Sequence, residues 1–253
     1  MATIDYDHDR NLHTAEGPRH AFQRIFSDGL PRSVLDVGCG TGTWLKAAID
    51  SGVTDVFGVD GIVVPTGAFL VSRQLFLQQD LSRPWSLGRR FDVALCLEVA
   101  EHLDEACAGT LLDSLTAHAH RIVFSAACPG QPGQHHVNCQ WPQWWQKRFN
   151  DRGFTCHDTI RWRIWDETEI EPWYRQNIFE ARCDEARAGM EPRLPSVIHP
   201  DFVVDVAWRE ITHRHLRQVE DGSLPLWWYL TAPWKALGKA LARKVGRAVR
   251  VSR

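Results

Sequence analysis

The sequence predicts an α/β chain built on a doubly wound, mostly parallel sheet with helices on both faces. Three observations carry this. Short apolar runs alternate with helically patterned segments through the first half of the chain, which implies parallel strands joined by crossovers. The first of these runs leads into a glycine-rich turn and the second ends on an acid. Two more apolar stretches after residue 150 supply a pair that completes seven strands.

Taken in order, residues 14–28 place Ala21, Phe22, Ile25 and Phe26 at helical spacing, and Pro31 ends that helix. Ser33 to Val37 is the first strand, running into Gly38-Cys39-Gly40-Thr41-Gly42. A helix follows to about Ser51, and Val56 to Asp60 is the second strand. Segment 62–75 resists assignment because Pro65 and Gly67 interrupt it. Phe76 to Asp80 is the third strand, Phe91 to Leu97 the fourth and Arg121 to Ala126 the fifth, with a helix over 104–119. Pro129, Gly130, Pro132 and Gly133 make 128–140 a loop. A helix near 141–152 and apolar stretches near 154–160 and 177–182 complete the sheet with an antiparallel pair. Pro192, Pro195 and Pro200 mark an extended connection. The expected organisation is a core over 1–183 and an irregular, Trp-rich C-terminal extension over 184–253 with a basic terminal helix.

Composition narrows the function classes. Apolar residues are 44% and charged residues 24% of 253, an ordinary soluble balance. The net charge of −2 argues against wholesale wrapping of nucleic acid, while leaving a local basic patch open. No apolar run approaches a bilayer span, and the acidic start Met1-Ala2-Thr3-Ile4-Asp5 does not read as a signal peptide. Seven cysteines without a C-x-x-C pair read as reduced thiols, so a cytoplasmic location is expected.

Strand, glycine turn and helix together present backbone N–H groups and a helix N-terminus to a ligand. Asp60, 22 residues beyond Gly38, stands where a carboxylate can accept from both ribose hydroxyls of an adenosine. The glycines fall at 38, 40 and 42, with Thr43 at the last dinucleotide position, and no G-K-S/T follows. The dinucleotide and P-loop patterns are therefore excluded. The run Val34-Leu35-Asp36-Val37-Gly38-Cys39-Gly40-Thr41-Gly42 resembles the first motif of class I S-adenosylmethionine-dependent methyltransferases, which have a Rossmann-like sheet. Gly58-Val59-Asp60, Gln79-Asp80-Leu81 and Phe91-Asp92-Val93 through Leu97-Glu98 resemble the later motifs in order, over about residues 33–127. The resemblance implies S-adenosylmethionine as cofactor, S-adenosylhomocysteine as product, and a binding set of Asp36, Gly38, Cys39, Gly40, Asp60, Gly61, Asp80, Leu81 and Leu97.

Leu97-Glu98-Val99-Ala100-Glu101-His102 sits at the carboxyl end of a strand, where open α/β sheets bind ligands. A helix beginning there would place Glu98, Glu101 and His102 on one face, a set suited to a divalent cation. The E-x-x-E-H run resembles ubiquinone-pathway O-methyltransferases and small-RNA 3′-end 2′-O-methyltransferases, and in the latter a later histidine completes a metal site. His135 and His136 are the candidates, and His136 is preferred because it directly precedes Val137-Asn138. Two readings stay open: a metal held by Glu98, Glu101, His102 and His136, or metal-free chemistry with His136 as base beside Glu101 and His102. The plainest alternative has the acids complementing a helix end.

Ten of the twelve tryptophans lie between Trp141 and Trp234. Trp144 and Trp145 are candidates for an acceptor platform, with core packing as the alternative for most of the set. The segment His136-Val137-Asn138 through Trp144-Trp145, with Phe149 and Gly153-Phe154, resembles bacterial methyltransferases of glycan assembly. The tail from Lys235 to Arg253 has seven basic residues and no acid, so peripheral contact with an anionic membrane stands beside packing as a solvated terminal helix. The expected reaction is O-methylation of a hydroxyl on a sugar, glycan or small molecule. RNA ribose 2′-O-methylation and a non-catalytic cofactor-binding partner are the alternatives.

Overall fold

The computed structural model describes residues 15–204 other than 63 and 65, together with 217–219, 223, 225–226 and 230. The basic tail from Lys235 and the tryptophans at 227, 228 and 234 lie outside the described residues. The chain divides into two compact units, Met1–Val203 and Val204–Arg253. The first unit thus runs past residue 183. Leu194 is a core residue, its N–H donates to Gln146 Oε1 at 2.8 Å, and Glu191 Oε1 accepts from Asn150 Nδ2 at 2.6 Å.

The strands are β1 (Ser33–Val37), β2 (Asp55–Asp60), β3 (Phe76–Gln78), β4 (Val93–Leu97), β5 (Arg121–Ser125), β6 (Phe154–His157) and β7 (Phe179–Cys183). They form one seven-stranded sheet in the order β3-β2-β1-β4-β5-β7-β6. β1 pairs in parallel with β2 and β4, β3 with β2, and β5 with β4, while β7 runs antiparallel to both β5 and β6. The helices are α1 (Glu16–Ile25), α2 (Thr43–Asp50), α3 (Ala108–His118), α4 (Pro142–Asn150), α5 (Thr159–Ile164) and α6 (Pro172–Asn177).

The central strands are apolar on both faces, as a sheet covered on both sides requires. Leu35, Val37, Ala94, Cys96, Ile122 and Phe124 pack with Leu111, Leu112 and Leu115 of α3 and with Trp145 and Phe149 of α4. The alternate residues Val34, Val56, Val93, Leu95 and Val123 pack with Phe22 and Ile25 of α1, Leu45 and Ala48 of α2, and Ile160 and Ile164 of α5. Period-two alternation thus assigns each strand residue to one of two cores. Burying a side chain of this size contributes about 1.5–3 kcal/mol, so these two layers dominate the stability.

Pro142 opens α4 at the helix start, where its missing N–H costs nothing. The third strand ends at Gln78 rather than Asp80, because the Asp80 carboxylate folds back onto Ser82, accepting from its N–H at 3.0 Å and its hydroxyl at 2.6 Å. α3 starts at Ala108, later than the pattern implied, after a single 3-10 turn over Glu105–Cys107. No helix among the described residues is long and apolar enough to cross a membrane.

Candidate active site

The sheet order reverses across β1 and β4, and the loops leaving their carboxyl ends flank the crevice that such folds use for ligands. After β1 the chain turns through Gly38, Gly40 and Gly42 at φ of 78°, 50° and 83°, which favours glycine at each. At Gly38 a Cβ would stand 2.3 Å from Val99 Cγ2, so this loop packs directly on the turn that follows β4. The Gly38 and Cys39 N–H groups donate to Val59 O at 2.7 and 3.2 Å, tying the loop to β2. Asp60, at the end of β2, is 6% exposed, and its carboxylate accepts from Gly40 N–H at 2.8 Å and Ile62 N–H at 2.7 Å.

Asp36 is 2% exposed and its Oδ2 has no hydrogen-bond partner. Burial, reinforced by the neighbouring Asp60 carboxylate, pushes its pKa up to about 8. Cys39 lies beneath β2, where a Cβ on Gly58 would meet its Sγ at 2.7 Å. Gln79 N–H donates to Asp60 O at 2.8 Å, and a Cβ on Gly61 would stand 3.4 Å from Gln79 O, so the β2 and β3 ends form one rim. Leu81 and Leu97 are both buried. The sequence-identified residues Asp36, Gly38, Cys39, Gly40, Asp60 and Gly61 therefore share one loop cluster. Asp80 Oδ1 accepts from Ser82, and the Asp80 pKa is held low mainly by the Ser82 hydroxyl.

The turn after β4 departs from the continuous helix that would have aligned Glu98, Glu101 and His102. Glu98 adopts φ 55°, and a single 3-10 turn covers Ala100–His102. The left-handed residue sends Glu98 away from the other two. Its carboxylate accepts from Gln131 Nε2 at 2.6 Å and Asn177 Nδ2 at 3.1 Å, and its N–H donates to Ser125 O at 3.1 Å. Burial raises the Glu98 pKa to about 7, against the pull of these donors.

Glu101, His102 and His136 converge, with one ligand atom from each lying within 4.8 Å of the others. Glu98 is outside this group. Glu101 is 0% exposed and neither carboxylate oxygen accepts a hydrogen bond of ordinary geometry. Burial first, and the Glu98 charge second, raise its pKa well above the usual carboxylate range, opposed by the backbone N–H groups of Glu101 and Ala127. Burial lowers His102 to about 4 and also lowers His136, so both imidazoles are neutral at neutral pH. Their rings meet edge-on, 5.1 Å between centroids. The Glu101 carbonyl accepts from Val137 and Asn138 N–H at 2.9 and 3.0 Å, which docks the 128–140 loop against the β4 turn.

A buried Glu101 carboxyl that no other side chain engages, beside two neutral imidazoles, fits the donor set of a divalent cation. The same geometry lets a neutral imidazole receive a proton. Pattern reading missed Gln131 and Asn177, which bind Glu98 from 33 and 79 residues away. The one signal for Asn177 was the polar run Arg175-Gln176-Asn177, all three of which are buried. Trp145 is 1% exposed, packed 5.1 Å from the Phe124 ring, so it is core rather than an acceptor platform. Trp144 is half-buried, with the Arg148 guanidinium 3.0 Å above its ring.

A family model described as a methyltransferase domain matches residues 6–177. A curated relative, ribosomal protein L11 methyltransferase of Laribacter hongkongensis (strain HLHK9), is 37% identical over 99 residues, covering 37% of this chain and 32% of that protein. The chain therefore spans about a third of the length of the curated relative it matches. Among solved structures, it is similar to magnesium protoporphyrin IX methyltransferase of Synechocystis PCC 6803 with bound SAM, at 23% identity and a TM-score of 0.49, over 66% of this chain and 78% of that one. It is also similar to a plantazolicin methyltransferase in complex with SAH, at 13% identity and a TM-score of 0.46, over 66% and 82% of the two chains.

Proposed function

The chain belongs to the methyltransferase-domain family, and on that premise we propose that it methylates a hydroxyl on a sugar, glycan or other small molecule, using S-adenosylmethionine. The cofactor fits the cluster after β1 and β2. Gly38, Gly40 and Gly42 all take positive φ in the loop after β1, the Asp36 Oδ2 has no partner, and the Asp60 carboxylate at the end of β2 accepts from Gly40 N–H. Asp36, Gly38, Cys39 and Gly40 would hold its amino-acid end, Asp60 and Gly61 its ribose, Asp80 and Leu81 its adenine, and Leu97 the methionine side. When bound, S-adenosylmethionine supplies an electrophilic methyl carbon on a sulfonium and departs as S-adenosylhomocysteine.

The observation that carries the hydroxyl assignment is the neutral imidazole of His136 beside Glu101 and His102. A hydroxyl gives up its proton as its oxygen bonds to the methyl carbon, and in this reading His136 receives that proton. The C–S electron pair returns to sulfur, so charge balances without another reactant. Alignment of the two reactants contributes the larger share of the acceleration. A second reading is favoured by the buried Glu101 carboxyl, which no other side chain engages. A divalent cation held by Glu101, His102 and His136 would lower the pKa of the acceptor hydroxyl. In either reading Glu98 is a neighbour held by amides and contributes no ligand.

The test is transfer of radiolabelled methyl groups to a panel of sugars, glycolipids, phenols and RNA, with and without chelator. Label on a hydroxyl of a sugar, glycan or small molecule, lost in His136→Ala, is the expected result. Transfer to nitrogen or carbon acceptors only, or full activity in both His136→Ala and Glu101→Gln, would overturn the assignment. Loss on chelation with restoration by Mg²⁺ or Mn²⁺ selects the metal reading; indifference to chelator selects the base.

A further inference from the structure

Gln131 is engaged on every side. Its side-chain amide donates to Glu98 Oε2 at 2.6 Å, and its Oε1 accepts from Asn177 Nδ2 at 2.8 Å. Asn177 Nδ2 also reaches Glu98 Oε1 at 3.1 Å, which closes a three-residue ring. Asn177 Oδ1 accepts from Gln176 Nε2 at 3.2 Å, extending the network into α6. Gln131 and Asn177 are 8% and 3% exposed, so water does not compete for these bonds. The ring joins three elements remote in sequence: the end of β4, the 128–140 loop and the junction of α6 with β7.

The main chain of the same glutamine faces the reactive group. His136 Nδ1 lies 3.0 Å from Gln131 O. A carbonyl only accepts, so this contact requires the proton on Nδ1 and leaves the lone pair on Nε2. The ring lies across Gly133, where a Cβ would stand 2.0 Å from Nε2, so the loop has room for this orientation only without a side chain at that position. Glu98 holds φ 55° at the other end of the ring, a conformation that its bonds to Ser125, Gln131 and Asn177 over-determine.

We propose that Gln131 and Asn177 are positioning residues, which with Glu98 form a buried latch that holds the 128–140 loop and selects the Nδ1–H tautomer of His136. The latch deepens the reading of His136 as proton acceptor, and a metal ligand at that position needs the same free Nε2. Neither amide touches the reacting atoms. Their action passes through the Gln131 backbone.

The tautomer is read directly from long-range ¹H–¹⁵N imidazole spectra of the full chain, at a pH where histidine is neutral, with His136→Gln identifying the resonance. The expected wild-type spectrum shows a single tautomer with Nε2 unprotonated. Gln131→Leu and Asn177→Leu are expected to give mixed tautomers and to speed amide hydrogen exchange across 128–140 by roughly tenfold or more. Glu98→Gln keeps one of the two acceptor oxygens and should disturb the wild-type tautomer less than Glu98→Leu, which keeps neither. A wild-type His136 protonated mainly on Nε2 overturns the proposal, as do folded leucine variants with unchanged tautomer and exchange. Should the leucine variants fail to fold, the wild-type spectrum still decides. A methyl-transfer screen negative for hydroxyl acceptors would sink the reaction assigned above and leave this spectrum standing, so the two failures are distinguishable.

Discussion

Replacing Gly38 with alanine separates two costs that the glycine loop avoids. Gly38 sits at φ 78°, and a Cβ there would lie 2.3 Å from Val99 Cγ2 and 2.8 Å from Val99 Cγ1. Ordinary carbon–carbon contact is about 3.5–4.0 Å, so Val99 must retreat by roughly 1 Å or more. The left-handed backbone costs alanine about 1–2 kcal/mol. Overpacking in a tight site adds about 1–3 kcal/mol. The total is about 2–5 kcal/mol, and for a compact unit of this size the midpoint of thermal unfolding should fall by roughly 5–15 °C. Gly130 is the control, since its φ is 88° but a Cβ there has nothing within 4 Å. Gly130→Ala should therefore cost only the backbone share, about 1–2 kcal/mol. Val99→Ala placed on the Gly38→Ala background should return much of the packing share and none of the backbone share. Thermal unfolding of these three variants, with Val99→Ala alone as the fourth, gives the cycle. If Gly38→Ala matches Gly130→Ala, or if Val99→Ala restores nothing, the packing of the glycine loop on the β4 turn has been misread.

The remaining predictions concern the cofactor, pH and the tryptophans. Asp60→Ala removes the acceptor for Gly40 and Ile62 N–H, and at about 1.5–3 kcal/mol for a hydrogen bond to a charged group should weaken S-adenosylmethionine binding roughly 10- to 100-fold by calorimetry. Unchanged affinity in a folded variant would move the cofactor elsewhere. The Asp36 carboxyl is raised to about 8 from an ordinary 3.8, so the folded chain retains a proton that the unfolded chain gives up. Its contribution to stability is complete below the unfolded value and is lost as pH rises through about 8. Asp36→Asn should flatten the decline of unfolding temperature between these limits, and an identical slope in wild type and variant would contradict it. Trp145→Ala should cost about 3–5 kcal/mol as a core truncation. Trp144→Ala, losing chiefly its stack with Arg148, should cost about 2 kcal/mol at most, and denaturant titration of the pair checks the order.

Local pattern was enough for the sheet and for the loop cluster proposed to hold the cofactor. Residues 33–37 and 93–97 read as buried strands because strand periodicity and apolar content are properties of consecutive residues. The Gly38–Gly42 turn read as a ligand loop because positive φ and close approach are met by glycine at fixed offsets. Asp60 followed from its place at the end of β2. The Glu101, His102 and His136 cluster was legible as residue types and not as an arrangement. Spacing joined Glu98 to Glu101 and His102 on the premise of one helix, and the left-handed turn at Glu98 separates them. That conformation is held by Gln131 and Asn177, which come from other parts of the chain. Trp145 looked as able to offer a surface as Trp144, until the aromatic core around Phe124 enclosed it. The physical reason is common to these cases. Periodicity and turn chemistry act between near neighbours, whereas which buried polar group meets which is decided by where β7 inserts between β5 and β6, and only the folded sheet contains that information.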